Sequence, residues 1–310
     1  MKKLIGRHFL CDADLSAEEM LQIFKTADLL KTQARARRFE PLLAGRNLAM
    51  IFEQTSTRTR VSFEVGMRQL GGQALFLSAN DLKLARGEPL RDTARVLSSY
   101  CDAIMARIFS QENLEEIARY SAVPVINGMT NHYHPCQALT DLFTLYEVRG
   151  TLKGLKLAFL GDGNNVCQSL LLTCARLGVH VHSAHPEGFF PADAVVARAR
   201  EIASQQGSRV EVGSDPWAAV RDADAVYTDV WHSPGQPGTL EERIERFRPF
   251  QVNDQILSVA RPECIVLHCL PARRGEELTD EVMEGPRSRI FQQAENRLHV
   301  QKALLAHLVP

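Results

Sequence analysis

Two guanidinium groups and three hydroxyls crowd into Ser56-Thr57-Arg58-Thr59-Arg60, between the apolar run Leu48-Ala49-Met50-Ile51-Phe52 and a helical pattern. A strand that feeds Ser and Thr into a helix start aims hydroxyl donors, free backbone N–H groups and the positive end of the helix dipole at one point, which suits a phosphate. Arg58 adds a planar fork that can meet two phosphate oxygens at once, a geometry lysine lacks. A single Ser-Thr-Arg reads as a capped helix with its arginine on a solvated face. The five-residue run shifts the reading to an oxyanion cradle.

Two more segments set polar chemistry at the end of an apolar run. Val123-Pro124-Val125-Ile126-Asn127-Gly128 leads into His134-Pro135-Cys136-Gln137, and Cys264-Ile265-Val266-Leu267 leads into His268-Cys269-Leu270-Pro271. Buried parallel strands read as continuous apolar runs, and the loops at their carboxyl ends are where α/β proteins place ligands. His268 also fits a satisfied core histidine. The recurrence of such loops argues for a shared pocket.

With 310 residues and 45% hydrophobic content the chain can bury one large or two medium cores, and two is the better prior. A net charge of −1 gives no overall field for nucleic acid or membrane, so an anion site must come from local clustering of Arg58, Arg60, Arg107 and Arg297. Seven cysteines, an odd number without a C-x-x-C pair, do not build a disulfide framework. No apolar run approaches the ~18 residues that span a bilayer and no secretory leader opens the chain, so the expected compartment is the cytoplasm. Neither His134/Cys136 nor His268/Cys269 has a zinc spacing, and no metal is expected.

Helical and strand patterns alternate throughout, which implies an α/β fold with parallel sheets. Ser16 and Glu19 form a capping box that opens an amphipathic helix to about Ala34. The helix after the cradle carries Val61, Phe63, Val65 and Met67, and strands follow at Ala74 to Leu77 and Ala103 to Ala106, the second ending at Arg107. Cys136 to Tyr146 reads as a long helix. Arg149-Gly150 and Gly154 mark a hinge, after which the β pattern restarts at Leu155 to Leu160. Gly161-Asp162-Gly163-Asn164-Asn165-Val166 has Val166 in place of the third glycine of a dinucleotide fingerprint, so a nicotinamide cofactor is not expected. Ala225 to Thr228 is a further strand, ending at Asp229, and an amphipathic helix from Glu295 to Leu308 closes the chain.

The runs Phe52-Glu53 with Ser56 to Arg60 and Ser62-Phe63-Glu64, His134 to Gln137, His268 to Pro271 and Ala294-Glu295-Asn296-Arg297-Leu298-His299 resemble, in this order and spacing, the aspartate/ornithine carbamoyltransferase family and its ornithine branch. Arg86-Gly87-Glu88-Pro89 with Asp92-Thr93-Ala94-Arg95 adds a fifth match. The resemblance implies two doubly wound α/β domains, each a central parallel sheet flanked by helices. Residues 1–148 would bind carbamoyl phosphate and residues 149–290 the amino acid, and 291–310 would return as a helix to the first domain. It also implies transfer of the carbamoyl group to the side-chain amine of L-ornithine, giving citrulline and phosphate without metal or organic cofactor, in a homotrimer or a multiple of trimers.

By the same resemblance Ser56, Thr57, Arg58 and Thr59 hold the phosphate, and Arg107 spans phosphate and carbonyl oxygen. His134 joins Arg107 and Thr59 around the developing oxyanion. Gln137 and the carbonyls of Cys269 and Leu270 accept from the carbamoyl nitrogen, and Arg297 completes the pocket. Catalysis is thereby assigned to Arg107, His134, Cys269 and Arg297, with the acceptor amine beside Cys269. Asn165, Asp229, Ser233 and the adjoining Pro234 match the residues that grip the acceptor's α-amino and carboxylate groups. Asp229 alone also reads as a helix cap after a strand.

Three positions depart from the family pattern. Ser233-Pro234-Gly235 replaces the usual Ser-Met-Gly, and proline removes a backbone N–H. Lys83 stands for a common glutamine in a loop that in the family's trimer reaches the neighbouring subunit's site. Ile108 replaces a frequent threonine beside Arg107. The alternatives are a carbamoyltransferase for another amine, such as lysine, putrescine or a modified ornithine, and a catalytically silent regulatory paralogue.

Overall fold

A computed structural model describes residues 4–78, 88–232 and 240–310, so Lys83, Ser233 and Pro234 lie outside the described residues. The chain forms two compact units, Met1–Thr140 with Glu295–Pro310, and Asp141–Ala294. The divisions fall within two helices, whereas the sequence reading places them at 148/149 and 290/291.

The first unit runs α1 (Ala17–Arg35), β1 (Asn47–Phe52), α2 (Thr57–Gln69), β2 (Gln73–Ser78), α3 (Leu90–Tyr100), β3 (Ala103–Arg107), α4 (Gln111–Tyr120) and β4 (Val125–Met129), and α5 (Pro135–Arg149) leads out of it. The capping box forms as read: Ser16 Oγ accepts from Glu19 N at 3.2 Å and Glu19 Oε2 accepts from Ser16 N at 2.8 Å. The parallel sheet has the order β2-β1-β3-β4. Strand β1 is buried from its second residue on, while the edge strand β2 leaves Leu75 exposed. The chain reverses its direction of winding between β1 and β3, so the loops after those two strands, carrying the cradle and Arg107, flank the topological switch point.

The second unit runs β5 (Lys156–Leu160), α6 (Asn165–Arg176), β6 (His180–Ala184), α7 (Asp193–Gln206), β7 (Val210–Gly213), α8 (Pro216–Val220), β8 (Ala225–Thr228), α9 (Leu240–Phe247), α10 (Asp254–Leu257), β9 (Ile265–His268) and α11 (Asp280–Glu284). Its parallel sheet is ordered β7-β6-β5-β8-β9, with the switch between β5 and β8. The loops there are Gly161 to Asn164 and the one beginning at Asp229. Gly163 serves a close approach of backbones, since a Cβ there would lie 2.2 Å from Pro191 N.

Two expectations change. On α2 the buried face is Thr59, Phe63, Gly66 and Met67, while Val61 is exposed and Val65 only half-buried. Positions 61, 63, 65 and 67 follow a strand-like period of two, and the helix buries residues spaced three and four apart. The last helix, α12, is longer than read, Ile290–Leu308, and it is not amphipathic from Glu295 on: Asn296, Arg297, His299, Gln301 and Lys302 are all buried. Polar side chains at such depth need partners, and they find them: Lys31 Nζ donates to Asn296 and Lys302 Nζ to Gln69. No helix of the described residues is long and apolar enough to cross a membrane.

Candidate active site

Ser56 caps α2, its Oγ accepting from Thr59 N at 3.3 Å. The first-turn N–H groups remain outside the intrahelical ladder and add to the positive end of the dipole. His134 closes the other side of the first unit's site. Its carbonyl opens α5 by accepting from Gln137 N and Ala138 N, and Pro135 fits the first helical position because no N–H is needed there. The imidazole is buried, and its pKa lies well below 6.5, first through burial and then through the charges of Arg297, Arg107 and Arg58. The structure thus gathers three guanidinium groups around a neutral imidazole. Such an imidazole offers a hydrogen bond without a fourth positive charge.

Arg297 is fixed on three sides. Its Nε donates to Gln301 Oε1 at 2.8 Å, Nη1 to Gln137 Oε1, and Nη2 to Thr59 Oγ1 at 3.3 Å. Gln301 in turn donates to Ser62 Oγ at 2.8 Å, which ties α12 to α2. Arg60 does not belong to this cluster. It is exposed, donates to Glu64 at 2.8 Å and lies over the Phe76 ring at 3.9 Å. Cys136 is structural: its Sγ donates to Asn127 O at 3.3 Å, and burial pushes its pKa up to about 12.

In the second unit Asp229 is buried and held by three donors. Asn164 Nδ2 reaches its Oδ2 at 2.8 Å, and Val230 N and Cys269 Sγ reach its Oδ1 at 2.8 and 3.0 Å. Asn164 Oδ1 meanwhile caps α6 by accepting from Val166 N and Cys167 N. The carboxylate that ends β8 and the thiol that follows β9 are therefore locked together. Below them, Gln293 accepts from His268 N and donates to Asp141 and Tyr227.

His268 is the satisfied core histidine that its sequence context allows. Its Nδ1 accepts from Leu270 N at 2.8 Å, so the proton sits on Nε2, which faces Glu277 Oε1 at 3.0 Å. Leu270 holds a left-handed φ of 62°, unusual for a leucine. Asp229, His268 and Cys269 bring three metal-type ligand atoms within 4.8 Å, the one such group among the described residues. The hydrogen bonds just given account for that gathering. None of the seven cysteines is in a disulfide.

Residues 7–147 match the model of the aspartate/ornithine carbamoyltransferase carbamoyl-P binding domain, and residues 153–308 that of the Asp/Orn binding domain. The chain belongs to the aspartate/ornithine carbamoyltransferase family. Among curated relatives it is 54% identical to an ornithine carbamoyltransferase of Anoxybacillus flavithermus, covering 99% of this chain and 98% of the relative. It is 52% identical to the anabolic ornithine carbamoyltransferase of Pyrococcus furiosus, over 98% and 96% of the two chains. The solved structure of the Pyrococcus furiosus ornithine carbamoyltransferase superposes with a TM-score of 0.97 at 50% identity, covering 100% of this chain and 99% of that one. A mitochondrial ornithine carbamoyltransferase from Coccidioides immitis, at 33% identity, gives 0.89 over 97% and 96% of the chains.

Within this carbamoyltransferase the first unit brings together Ser56, Thr59, Arg58, Arg107, His134, Gln137 and Arg297 through the capping bond, the Arg297 bonds and the charges felt by His134. The second joins Asp229 to Cys269. Asn165 is the first residue of α6, and the bond to Asp229 comes from its neighbour Asn164. Asn164 and Gln301 are the positioning residues the sequence reading misses. Each had a signal: Asn164 stands at a helix N-cap, and Gln301 lies one turn after Arg297.

Proposed function

We propose that this chain transfers the carbamoyl group of carbamoyl phosphate to the side-chain amine of L-ornithine, forming L-citrulline and phosphate. The observation that carries the proposal is the set of three guanidinium groups around the neutral His134. Carbamoyl transfer needs a dianionic leaving group held and a tetrahedral oxyanion stabilised, and preorganised Arg, hydroxyl and N–H donors serve both without reorganisation.

In this reading Ser56, Thr57, Arg58 and Thr59 hold the phosphate while Arg107 reaches both phosphate and carbonyl oxygen. His134 donates to the developing oxyanion, and Gln137 and Arg297 orient the carbamoyl group. The neutral side-chain amine of ornithine bonds to the carbamoyl carbon to give the tetrahedral oxyanion, whose collapse breaks the bond from that carbon to the phosphate oxygen, and the proton shed by the nitrogen leaves with the phosphate. Asp229 receives the α-amino group with Asn165 and Ser233 beside it, and Cys269 lies next to the attacking amine. Such a division of labour gives the first unit to the donor and the second to the acceptor.

We also propose a homotrimer, with the segment around Lys83 serving a neighbouring subunit. Val61, Leu75, Val96 and Tyr100 support it, being large side chains left exposed on the same unit as the edge strand β2. Sedimentation at working concentration would give a trimer or a multiple of one; a monomer would remove this part of the reading. The activity itself is tested by supplying carbamoyl phosphate with ornithine, lysine and putrescine in turn, and following phosphate and ureido product together. Equal yields of both with ornithine are expected. Phosphate without ureido product, or preference for putrescine, would sink the proposal.

A further inference from the structure

The amino-terminal ends of the second sheet hold a cluster that carbamoyl transfer leaves unused. Lys156 opens β5 and is the register partner of His180, which opens β6, while His182 pairs with Glu211 of β7. Partners share a face and alternate residues return to it, so these four side chains stand together on one side of the sheet. Short helix α8 packs over β5 and β6, and Lys156 Nζ donates to the carbonyls of Ala218 at 3.3 Å and Arg221 at 2.7 Å. Between them is a cavity of about 270 Å³ that Arg209, Arg221 and Asp222 also line.

The lining carries more positive than negative charge. Lys156, Arg209 and Arg221 face only two carboxylates, Glu211 and Asp222, and Glu211 is already 3.5 Å from His182 Nδ1. Among the described residues Arg209 and Arg221 make no ion pair. The Nδ1 of His180 is buried and has no hydrogen-bond partner. Burial lowers the pKa of Lys156, Glu211 and Asp222 act against that shift, and Arg221 adds the smallest contribution. A cation does not suit the place. Among the described residues the metal-type ligand atoms that gather within 4.8 Å are those of Asp229, His268 and Cys269, not these.

We propose that this cavity binds one compact tetrahedral oxyanion of phosphate size, held by Arg209 and Arg221 with the imidazole of His180. Along β5 the cavity lies at the opposite end from the Gly161 loop, about 16 Å away at the rise of a strand. It is a separate site from the phosphate cradle of the first unit.

Inorganic phosphate would also enter that cradle, so the test uses Arg58→Ala protein. Equilibrium dialysis with labelled phosphate should find one site per chain, competed by sulfate. Adding Arg209→Gln and Arg221→Gln should weaken binding at least about tenfold, the cost of one or more charge-assisted contacts, with the thermal midpoint unchanged. Absence of binding in Arg58→Ala up to about 10 mM phosphate, or unchanged affinity in the triple variant, would overturn the proposal. Tighter binding of succinate than of phosphate would overturn the tetrahedral assignment. Should the triple variant fail to fold, Arg58→Ala with His180→Gln carries the test: weaker binding supports the site and unchanged affinity removes it.

Discussion

The two units solve their chemical tasks with different materials. In the first, three permanent cations surround a histidine that burial and those same charges keep neutral. In the second, a carboxylate is held by an amide, a thiol and a backbone N–H. The first is an arrangement of charge and the second an arrangement of hydrogen bonds. A leaving dianion is met by charge that needs no induced order, while an amino acid must be met by a carboxylate fixed in direction.

If charge dominates the first unit, Arg58→Ala should cause the largest loss. A charge-assisted contact is worth ~1.5–3 kcal/mol, and two lost together predict a fall in kcat/KM of roughly 10²- to 10⁴-fold. Arg58→Lys should recover little of it, because a point charge cannot reproduce the fork. Steady-state kinetics with carbamoyl phosphate varied would show it; near-wild-type turnover in either variant would reduce the run to a helix cap.

The neutral His134 gives a sharper test. Its pKa is lowered in the fold, so below about 6.5 the unfolded chain binds a proton that the native protein refuses. Stability should therefore fall as pH drops below about 6.5 and level off above it, and His134→Gln should flatten that dependence. Urea midpoints from pH 5 to 8 would measure it. Activity should rise from neutral to alkaline pH instead, because the attacking amine, with a pKa of about 10, is mostly protonated at neutrality. An acid limb near 6.5 that vanishes in His134→Gln would mean the imidazole carries charge, and the contrast between the units would weaken.

On the hydrogen-bonded side the expected effects are smaller and more local. Asn164→Ala removes both the α6 cap and a donor to Asp229, at a cost of ~1–2 kcal/mol of stability. The ornithine KM should rise several-fold while the affinity for carbamoyl phosphate, measured by dialysis, stays within twofold. Equal losses for both substrates would break the division of labour between the units.

The same contrast explains what could be read from the sequence. Apolar runs such as Leu48 to Phe52 and Ala225 to Thr228 announce buried parallel strands, and arginines clustered at their ends announce an anion site, because both signals are local. Networks are not local. Gln293 and Asp141 meet across 152 positions of chain, and no residue type at either place foretells the other. Asn164 and Asn165 look alike in the sequence until the helix start decides which one becomes the cap.

The smallest expected effect belongs to Arg60, which sits two positions after Arg58 and shares its chemistry. Two helical steps turn a side chain by about 200°, so the two arginines of the run cannot face the same ligand. Arg60 spends its charge on Glu64 and its flat face on Phe76, in solvent. Exposed i,i+4 pairs contribute ~0.3–0.5 kcal/mol, and Arg60→Ala should shift stability by no more than about 1 kcal/mol with the ring contact included. The carbamoyl phosphate KM and kcat should each stay within about threefold, against several orders of magnitude for Arg58. A loss in Arg60→Ala comparable to that in Arg58→Ala would show that α2 turns a different face to the phosphate, and the assignment of Arg58 would have to be made again.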